Sequence, residues 1–271
     1  MVVNRYEQII DWIFHKHYSE GMMSVPFQRN ELEDASRALG FETPKNLGDV
    51  IYSIRFRCLM PESVSRCAPE GREWVIRGAG KARYAFELVK KVRIVPNETM
   101  IVTKVPDSTP EIISAAAQGD EQALLALVRY NKLVDIFLGV AAYSLQNHLR
   151  TTAEGIGQVE IDEVYVAVDR HGQQYIIPVQ AKGHTDEIGV TQPEQDLAVC
   201  KEKWPDMVAR ALAVQFMEDG VIALFELARQ DGCIRVVREA HYKLVPHGDI
   251  TQEDRDLYKN AARNSTEIFE L

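Results

Sequence analysis

Cysteine is scarce in this chain, and its few cysteines lack a metal-binding spacing. The 271 residues include four cysteines, at positions 58, 67, 200 and 233, and no Cys-x-x-Cys pair. This pattern argues against a zinc module and favours free thiols in a reducing compartment. The chain also lacks a glycine-rich phosphate loop and a Gly-x-Ser-x-Gly elbow, which argues against an NTP-driven motor and an α/β-hydrolase.

Long apolar runs are absent as well. No run approaches the roughly eighteen residues of a membrane-spanning helix, and the N-terminus does not resemble a signal peptide, so we expect a cytoplasmic protein with no membrane partner. The chain is long enough for two domains. Proline and polar residues cluster at 96–110 and predict a linker between a domain at 1–95 and a domain at 111–271.

Negative charge dominates the chain as a whole, but basic residues are concentrated in one part of it. The formal net charge is −9, and residues 96–271 contain 16 Lys and Arg against 28 Asp and Glu. Residues 51–95, in contrast, contain 10 basic residues against 4 acidic ones. A clustered basic segment is typical of phosphate binding, so we expect the first domain to contact nucleic acid.

Residues 157–183 have the pattern of a β-hairpin. A β-branched and aromatic run at 161–168 is followed by a polar turn around Gly172, and apolar residues resume at 175–179. Runs of this composition, separated by about four to six turn residues, predict two antiparallel strands.

The hairpin brings an acidic residue close to an amide and an amine. With the turn near Gly172, residues whose numbers sum to about 343 face each other, which places Asp162 opposite Ala181 and beside Gln180 and Lys182. A one-residue slip in register exchanges the two faces of a strand. The acids on either side of Asp162 are therefore alternative candidates for the same role: Glu160 and Glu163.

These residue types suit a divalent cation next to a phosphodiester. Mg²⁺ prefers oxygen ligands and is typically held by one or two carboxylates together with substrate phosphate oxygens. Asp162 can supply a carboxylate, and the side-chain carbonyl of Gln180 and the backbone carbonyl of Ala181 can supply neutral oxygens. Lys182 can then orient or deprotonate the attacking water and offset developing negative charge. The chemistry indicated is phosphodiester hydrolysis.

An Asp on one strand and Gln-x-Lys at the end of its partner resemble the motif of the PD-(D/E)xK, or restriction endonuclease-like, nuclease superfamily. The resemblance implies an α/β core with a mixed sheet flanked by helices. It also implies that Asp162 and Gln180 bind Mg²⁺ or Mn²⁺, that Lys182 is catalytic, and that a homodimer cuts both strands of DNA, in a restriction or defence role. Gln180 replaces the commoner Glu, so an inactive DNA-binding or regulatory protein is an alternative, and a repair or recombination nuclease is another.

The flanking sequence fits such a core. Asp120–Arg150 is rich in apolar residues and predicts a long buried helix that precedes the hairpin. The predicted elements after the hairpin are a helix at 194–204 and strands at 207–217, 221–228 and 234–245. Gln192 and Gln195 lie just beyond the motif, where related nucleases place polar residues that reach the substrate backbone.

The first domain resembles a winged helix-turn-helix. Helices are predicted at 5–18 and 31–39, and a third is predicted to begin with Thr43 as its N-cap and Pro44 in its first turn. A hairpin at 73–76 and 82–89 follows. The alternative is an ordinary helical protein-interaction domain.

The winged-helix resemblance implies two sets of DNA contacts. The third helix would enter the major groove with Lys45, Asn46, Tyr52, Ser53, Arg55 and Arg57. The hairpin would offer phosphates or the minor groove four basic residues: Arg72, Arg77, Lys81 and Arg83.

Overall fold

Buried apolar side chains form separate cores in two units of the chain. The computed structural model describes residues 4–56, 60–91, 93–116, 119–184, 186, 188–230 and 233–267. The first unit comprises Met1–Val92 and Arg150–Val159, and the second comprises Arg93–Leu149 and Glu160–Leu271. The first unit therefore contains a segment, Arg150–Val159, that lies far along the chain from the rest of it.

In its N-terminal part, the described residues of the first unit form four helices and three strands. Along α1, Ile9, Ile10, Ile13 and Phe14 recur on one helical face and are all buried. The three strands form an antiparallel sheet in the order β1-β3-β2. In chain order the elements are α1 (Arg5–His17), β1 (Ser24–Gln28), α2 (Glu31–Ala38), α3 (Leu47–Phe56), α4 (Glu62–Ser65), β2 (Arg72–Gly78) and β3 (Arg83–Lys90).

The third helix begins later than the sequence predicts. α3 starts at Leu47, so the predicted start with Thr43 as N-cap and Pro44 in the first turn is wrong. Asn46 accepts a hydrogen bond through Oδ1 from the backbone N–H of Gly48 at 3.1 Å. Asparagine commonly binds a backbone N–H two residues ahead in this way, and here it occupies the position before the helix. Pro44 is buried ahead of that start.

Gly78, at the end of β2, lies against Gly155 and Ile156, which belong to the Arg150–Val159 segment of this unit. A Cβ atom at this position would lie 2.8 Å from the carbonyl oxygen of Ile156 and 3.1 Å from that of Gly155. Both neighbours are backbone atoms and cannot rotate away. The close approach of the two backbones therefore requires glycine at position 78.

The second unit is built around a mixed β-sheet. Its strands follow the order β5-β13-β12-β11-β8-β7-β6, and β10 also pairs with β8. Neighbouring strands are antiparallel at β7/β8, β11/β12 and β12/β13 and parallel at β8/β11 and β5/β13. Its strands are β4 (Arg93–Ile94), β5 (Val102–Pro106), β6 (Ala141–Ala153), β7 (Gly157–Val168), β8 (Gln174–Lys182), β9 (Ile188–Gly189), β10 (Val208–Ala209), β11 (Ala211–Phe216), β12 (Val221–Gln230) and β13 (Cys233–Val245).

Helices cover both faces of this sheet. Leu124 and Phe137, from α6 and α7, pack in one core with Val179 of β8. On the other face, Leu197 of α8 packs on a core that contains Phe225 of β12. The predicted mixed sheet flanked by helices is confirmed. The helices of the unit are α5 (Glu111–Ala116), α6 (Glu121–Tyr130), α7 (Leu133–Leu138), α8 (Thr191–Lys203) and α9 (Gln252–Glu267).

The long helix predicted at Asp120–Arg150 is wrong. Two short helices, α6 and α7, are followed by the strand β6. Lys132 precedes α7 and Gly139 follows it, and both have left-handed backbone conformations, with φ of 54° and 67°. Most of β6 is exposed, whereas α6 and α7 are largely buried. The apolar residues that suggested one helix therefore belong mainly to the two short helices.

The predicted hairpin is confirmed, with a register that differs by one position. Glu163 pairs with Val179 and Val168 pairs with Gln174, so facing residues sum to 342. Continued by one residue, this register places Asp162 opposite Gln180. Within the described part of the chain, no helix has the length and apolar composition needed to cross a membrane.

Candidate active site

The end of β8 presents Gln180 and Lys182 on one face of the sheet. Val179 and Ala181 belong to the core under α6 and α7. Because successive side chains of a strand point to opposite faces, Gln180 and Lys182 lie on the other face, which α8 covers. Lys182 is largely buried, with 15% of its side chain exposed. In the Gln-Ala-Lys triplet, Gln180 and Lys182 therefore lie on the face covered by α8, and Ala181 packs in the core under α6 and α7.

Asp162 lies on the same face of the sheet. On β7, Tyr165 and Ala167 belong to the core under α6 and α7, so strand alternation turns Asp162 away from it. Its Oδ2 atom accepts a hydrogen bond from the backbone N–H of Ala181 at 2.9 Å. Burial raises the pKa of Asp162, and the Ala181 N–H and the charge of Lys182 oppose that rise. The predicted carboxylate and amine therefore lie within electrostatic reach of each other.

Gln180 is held by two hydrogen bonds that fix the orientation of its amide. Nε2 donates to the carboxylate of Asp196 at 2.8 Å and to the backbone carbonyl of Glu160 at 3.3 Å. A carbonyl and a carboxylate can only accept, so the nitrogen must lie on this side and the oxygen on the other. Among the described residues the Gln180 oxygen, Oε1, is buried and has no hydrogen-bond partner. The amide thus presents an uncommitted oxygen.

Asp196, on α8, is a member of the site that the sequence analysis missed. It is 1% exposed, and it shares a buried helical face with Pro193, Val199 and Cys200. Burial raises its pKa well above the ordinary value, and the hydrogen bond from Gln180 works against that rise. The available signal was an acid at a core position of an amphipathic helix, where charged groups are rarely found without a partner.

Asp162 is the centre of a group of acids. Burial followed by the charge of Asp162 raises the pKa of Glu160. The pKa of Glu121 is also raised, mainly by burial, with further contributions from Asp162 and Asp186. Glu121 forms an ion pair with Lys182, whose Nζ lies 3.6 Å from Oε1. Negative charge therefore accumulates at this end of the sheet, and a bound cation would relieve the repulsion.

Glu160 and His148 lie beside this group. His148 Nδ1 is 3.5 Å from Glu160 Oε1. His148 falls within the segment predicted as one long helix, Asp120–Arg150, but it lies in β6 with a φ of 49°. Glu160, predicted as an alternative acid, is on the same face as Asp162 and stays a candidate ligand.

Glu163, the other alternative acid, lies on the opposite face of β7 and is completely buried. Its Oε1 atom accepts hydrogen bonds from Arg129 Nε at 2.8 Å and from Ser144 Oγ at 2.5 Å. The hydrogen bond that Arg129 donates to Glu163 raises the pKa of Arg129. The alternation of β7 separates Glu163 from Asp162, so its predicted role in the site is not compatible with this structure.

Gln215 of β11 and Gln195 of α8 add two more buried amides. Gln215 Nε2 donates to the carbonyls of Asp186 at 2.8 Å and Gly183 at 3.2 Å, which fixes its orientation as at Gln180. In the described part of the chain, the side-chain oxygens of Gln195 and Gln215 are buried without hydrogen-bond partners. Gln215 therefore positions the chain directly after Lys182 and leaves an acceptor oxygen uncommitted.

The donor set suits a hard cation. Among the described residues, buried side-chain oxygens of Gln180, Gln195, Gln215 and Asp196 have no hydrogen-bond partner, and amide and carboxylate oxygens are the ligand class of Mg²⁺ and Mn²⁺. Within the described ranges no group of three or more His, Cys, Asp and Glu side chains has metal-binding geometry. A cation here would therefore depend on Asp162, on amide oxygens such as that of Gln180, and on water or substrate. The predicted carbonyl ligand at Ala181 stays a prediction.

The predicted DNA-contacting residues lie in the first unit, with different degrees of exposure. Arg72, Lys81 and Arg83 are exposed on the β2–β3 hairpin, and Arg77 is partly buried, with Nη1 at 3.8 Å from Glu87 Oε2. The residues predicted on the third helix are placed as follows: Lys45 and Asn46 are exposed ahead of α3, Tyr52 is partly buried, Ser53 is buried, and Arg57 and the Arg55 side chain lie outside the described residues.

Comparison of the chain with family models, with curated proteins and with solved structures finds no match.

Proposed function

We propose that this protein is a metal-dependent endonuclease that hydrolyses phosphodiester bonds of DNA. The observation that carries the proposal is the placement of Asp162, Lys182 and an uncommitted Gln180 oxygen on one face at the end of a β-hairpin. Buried polar groups without partners are rare in folded proteins and call for a ligand, water or ion. The residues are those of the PD-(D/E)xK motif, and the order of hairpin, helix and further strands is consistent with that family.

Each residue has a distinct task in this proposal. Asp162 and the oxygen of Gln180 would hold Mg²⁺ or Mn²⁺, which when bound stabilises negative charge that develops on the phosphate. The ammonium group of Lys182 would orient the attacking water and interact with the same developing charge. The α8 face excludes solvent from the Gln180 side, which strengthens these electrostatic interactions.

The first unit supplies the proposed DNA reader. Its element order, a helix, a strand, three helices (the last of them the short α4) and a two-stranded hairpin, supports a winged-helix assignment. Exposed Arg72, Lys81 and Arg83 lie on that hairpin and are suited to phosphate contacts. A homodimer would provide the two active sites that cleavage of both strands needs, and a restriction or defence role is the setting that we propose.

The direct test is cleavage of plasmid DNA in Mg²⁺ or Mn²⁺ by the parent protein and by Lys182→Ala. We expect the variant to be at least about 10²-fold slower, because it loses a charge directed at the transition state. Lys201→Ala is the matched control, since Lys201 is exposed on α8 and its loss should leave the rate unchanged. Absence of metal-stimulated cleavage by the parent on both plasmid and phage DNA would refute the endonuclease proposal.

A DNA-binding protein without nuclease activity is the second candidate. The observation that favours it is the neutral Gln180 in the place where the superfamily more often has an acid, since an amide holds a cation less tightly than a carboxylate does. DNA binding by the parent protein with no cleavage at any Mg²⁺ or Mn²⁺ concentration would support this candidate over the endonuclease.

The reader assignment predicts a salt-dependent effect of Lys81→Ala. The logarithm of the DNA-binding constant falls linearly with the logarithm of the salt concentration. If Lys81 neutralises one phosphate, its loss should make that slope less negative by about 0.9. Fluorescence anisotropy of labelled duplex DNA with EDTA present measures that slope without cleavage. Lys201→Ala serves again as the control, and an unchanged slope for Lys81→Ala would remove Lys81 from the DNA contacts.

A further inference from the structure

The hydrogen bond between Gln180 and Asp196 links the candidate site to a buried acid that no sequence motif marks. The two side chains are each 1% exposed, and their contact of 2.8 Å joins the end of β8 to the middle of α8. Each group also keeps one buried oxygen without a partner among the described residues, Oε1 of Gln180 and Oδ1 of Asp196. A pair used only for packing would be expected to satisfy both oxygens.

The direction of this hydrogen bond has a geometric consequence. Because Asp196 and the Glu160 carbonyl take both hydrogens of the Gln180 amide, that amide cannot turn its nitrogen toward Asp162. Without Asp196, the amide would have only the longer bond to Glu160, at 3.3 Å, to set its orientation. A rotated amide would present N–H groups, which repel a cation, in place of an oxygen.

The residue at position 180 is matched to Asp196 as a hydrogen-bond donor. A Glu at position 180 would place two buried carboxylates in contact, and neither could donate a hydrogen bond to the other. Gln180 supplies the donor that this contact needs and keeps an oxygen that the contact does not use.

We propose that Asp196 is a positioning residue that directs the Gln180 oxygen toward the bound cation. This inference rests on the proposed function, because it assigns a role in the same cation site. It explains how a neutral residue at position 180 is compatible with metal binding. It also explains why an acid occupies a core position of α8.

An exchange of the two residues tests this role. In the double variant Gln180→Glu with Asp196→Asn, the Asn amide can donate to the Glu carboxylate, so the pair keeps a hydrogen bond. Gln180→Glu alone places two acceptors together, and Asp196→Leu alone removes the acceptor that holds the Gln180 nitrogen. Asp206→Asn is the matched control, because Asp206 is an exposed acid outside the site.

The measurement is Mn²⁺ binding to the full chain without DNA, followed by the paramagnetic resonance signal of free Mn²⁺. We expect Asp196→Leu to weaken binding about tenfold, as is typical when a residue that orients a metal ligand is lost. Gln180→Glu alone should also weaken binding, because two carboxylates cannot form the hydrogen bond that orients the side chain at position 180. The double variant should return to within about threefold of the parent, and Asp206→Asn should match the parent. Circular dichroism and the thermal midpoint identify any variant that fails to fold.

The outcomes separate the two proposals. A parent protein that binds no Mn²⁺ and cuts no DNA overturns the proposed function and this inference with it. A parent that binds Mn²⁺, with Asp196→Leu binding equally well, leaves the function standing and overturns the role of Asp196. The role of Asp196 is also overturned if all variants fold and the double variant binds Mn²⁺ no more tightly than the single variants do.

Discussion

Replacement of Asp162 by asparagine should lower the rate of metal-dependent cleavage by at least about 10²-fold and should stabilise the metal-free protein at pH 8. The two effects have one cause. Asp162 is a charged group at a partly buried site, where burial raises its pKa. A bound cation would be held by that negative charge. In the metal-free protein the same buried charge lowers the stability of the fold. Asparagine keeps a carbonyl that can accept from the Ala181 N–H, so the local hydrogen bond survives.

The sign of the pH dependence follows from that raised pKa. For an acid whose pKa is higher in the folded state than in the unfolded state, the stabilising contribution is fully present below the unfolded pKa and is lost as pH rises through the folded pKa. Asparagine does not titrate, so Asp162→Asn should match the parent near pH 4 and be more stable at pH 8.

Calorimetric midpoints in EDTA, from pH 4 to pH 8, measure this difference. Addition of Mn²⁺ at pH 8 should stabilise the parent and have little effect on Asp162→Asn, because only the parent retains the carboxylate ligand. Asp206→Asn should follow the parent in both conditions. If Asp162→Asn is less stable than the parent at pH 8 and responds equally to Mn²⁺, then Asp162 has a structural role and is not a cation ligand.

The part of the site that lies within one hairpin could be predicted from sequence. The turn at Gly172 limits the possible registers, and a strand places Gln180 and Lys182 on one face whatever the register. The predicted sum of 343 differs from the observed 342 by one position, which is the uncertainty that left Glu160, Asp162 and Glu163 open. Burial of Glu163 with Arg129 removes Glu163 from that choice, and this burial depends on a helix outside the hairpin.

The part of the site that depends on packing between distant elements could not be predicted. Asp196 reaches Gln180 only because α8 crosses the sheet on one particular face. Glu121 approaches Lys182 only because the predicted long helix is divided and its first portion, α6, begins near the end of β8. Apolar periodicity reports that a segment is buried, but it does not report which element covers it.

Replacement of Arg129 by methionine should destabilise the protein by about 3 kcal/mol, the lower part of the range for breaking a buried ion pair. The Glu163 side chain is completely buried, and Arg129 and Ser144 are its described hydrogen-bond donors. Removal of Arg129 leaves a buried carboxylate with a single neutral donor. The lower value applies because one third of the Arg129 side chain is exposed to solvent, which weakens the ion pair.

A double variant separates the buried charge from the loss of packing. In Arg129→Met with Glu163→Gln, the buried negative charge is gone and Ser144 can still donate to the Gln carbonyl, so much of the lost stability should return. Arg229→Met is the control, since Arg229 forms an exposed pair with Glu194 at 3.6 Å and its loss should cost less than about 1 kcal/mol.

Urea unfolding of the four proteins measures these differences. Equal destabilisation by Arg129→Met and by the double variant would show that packing of the Arg129 side chain, and not its charge, supports this face of β7. Because Glu163 and Asp162 are consecutive residues on opposite faces, the same measurement tests whether the ion pair on one face fixes the strand that positions the candidate ligand on the other.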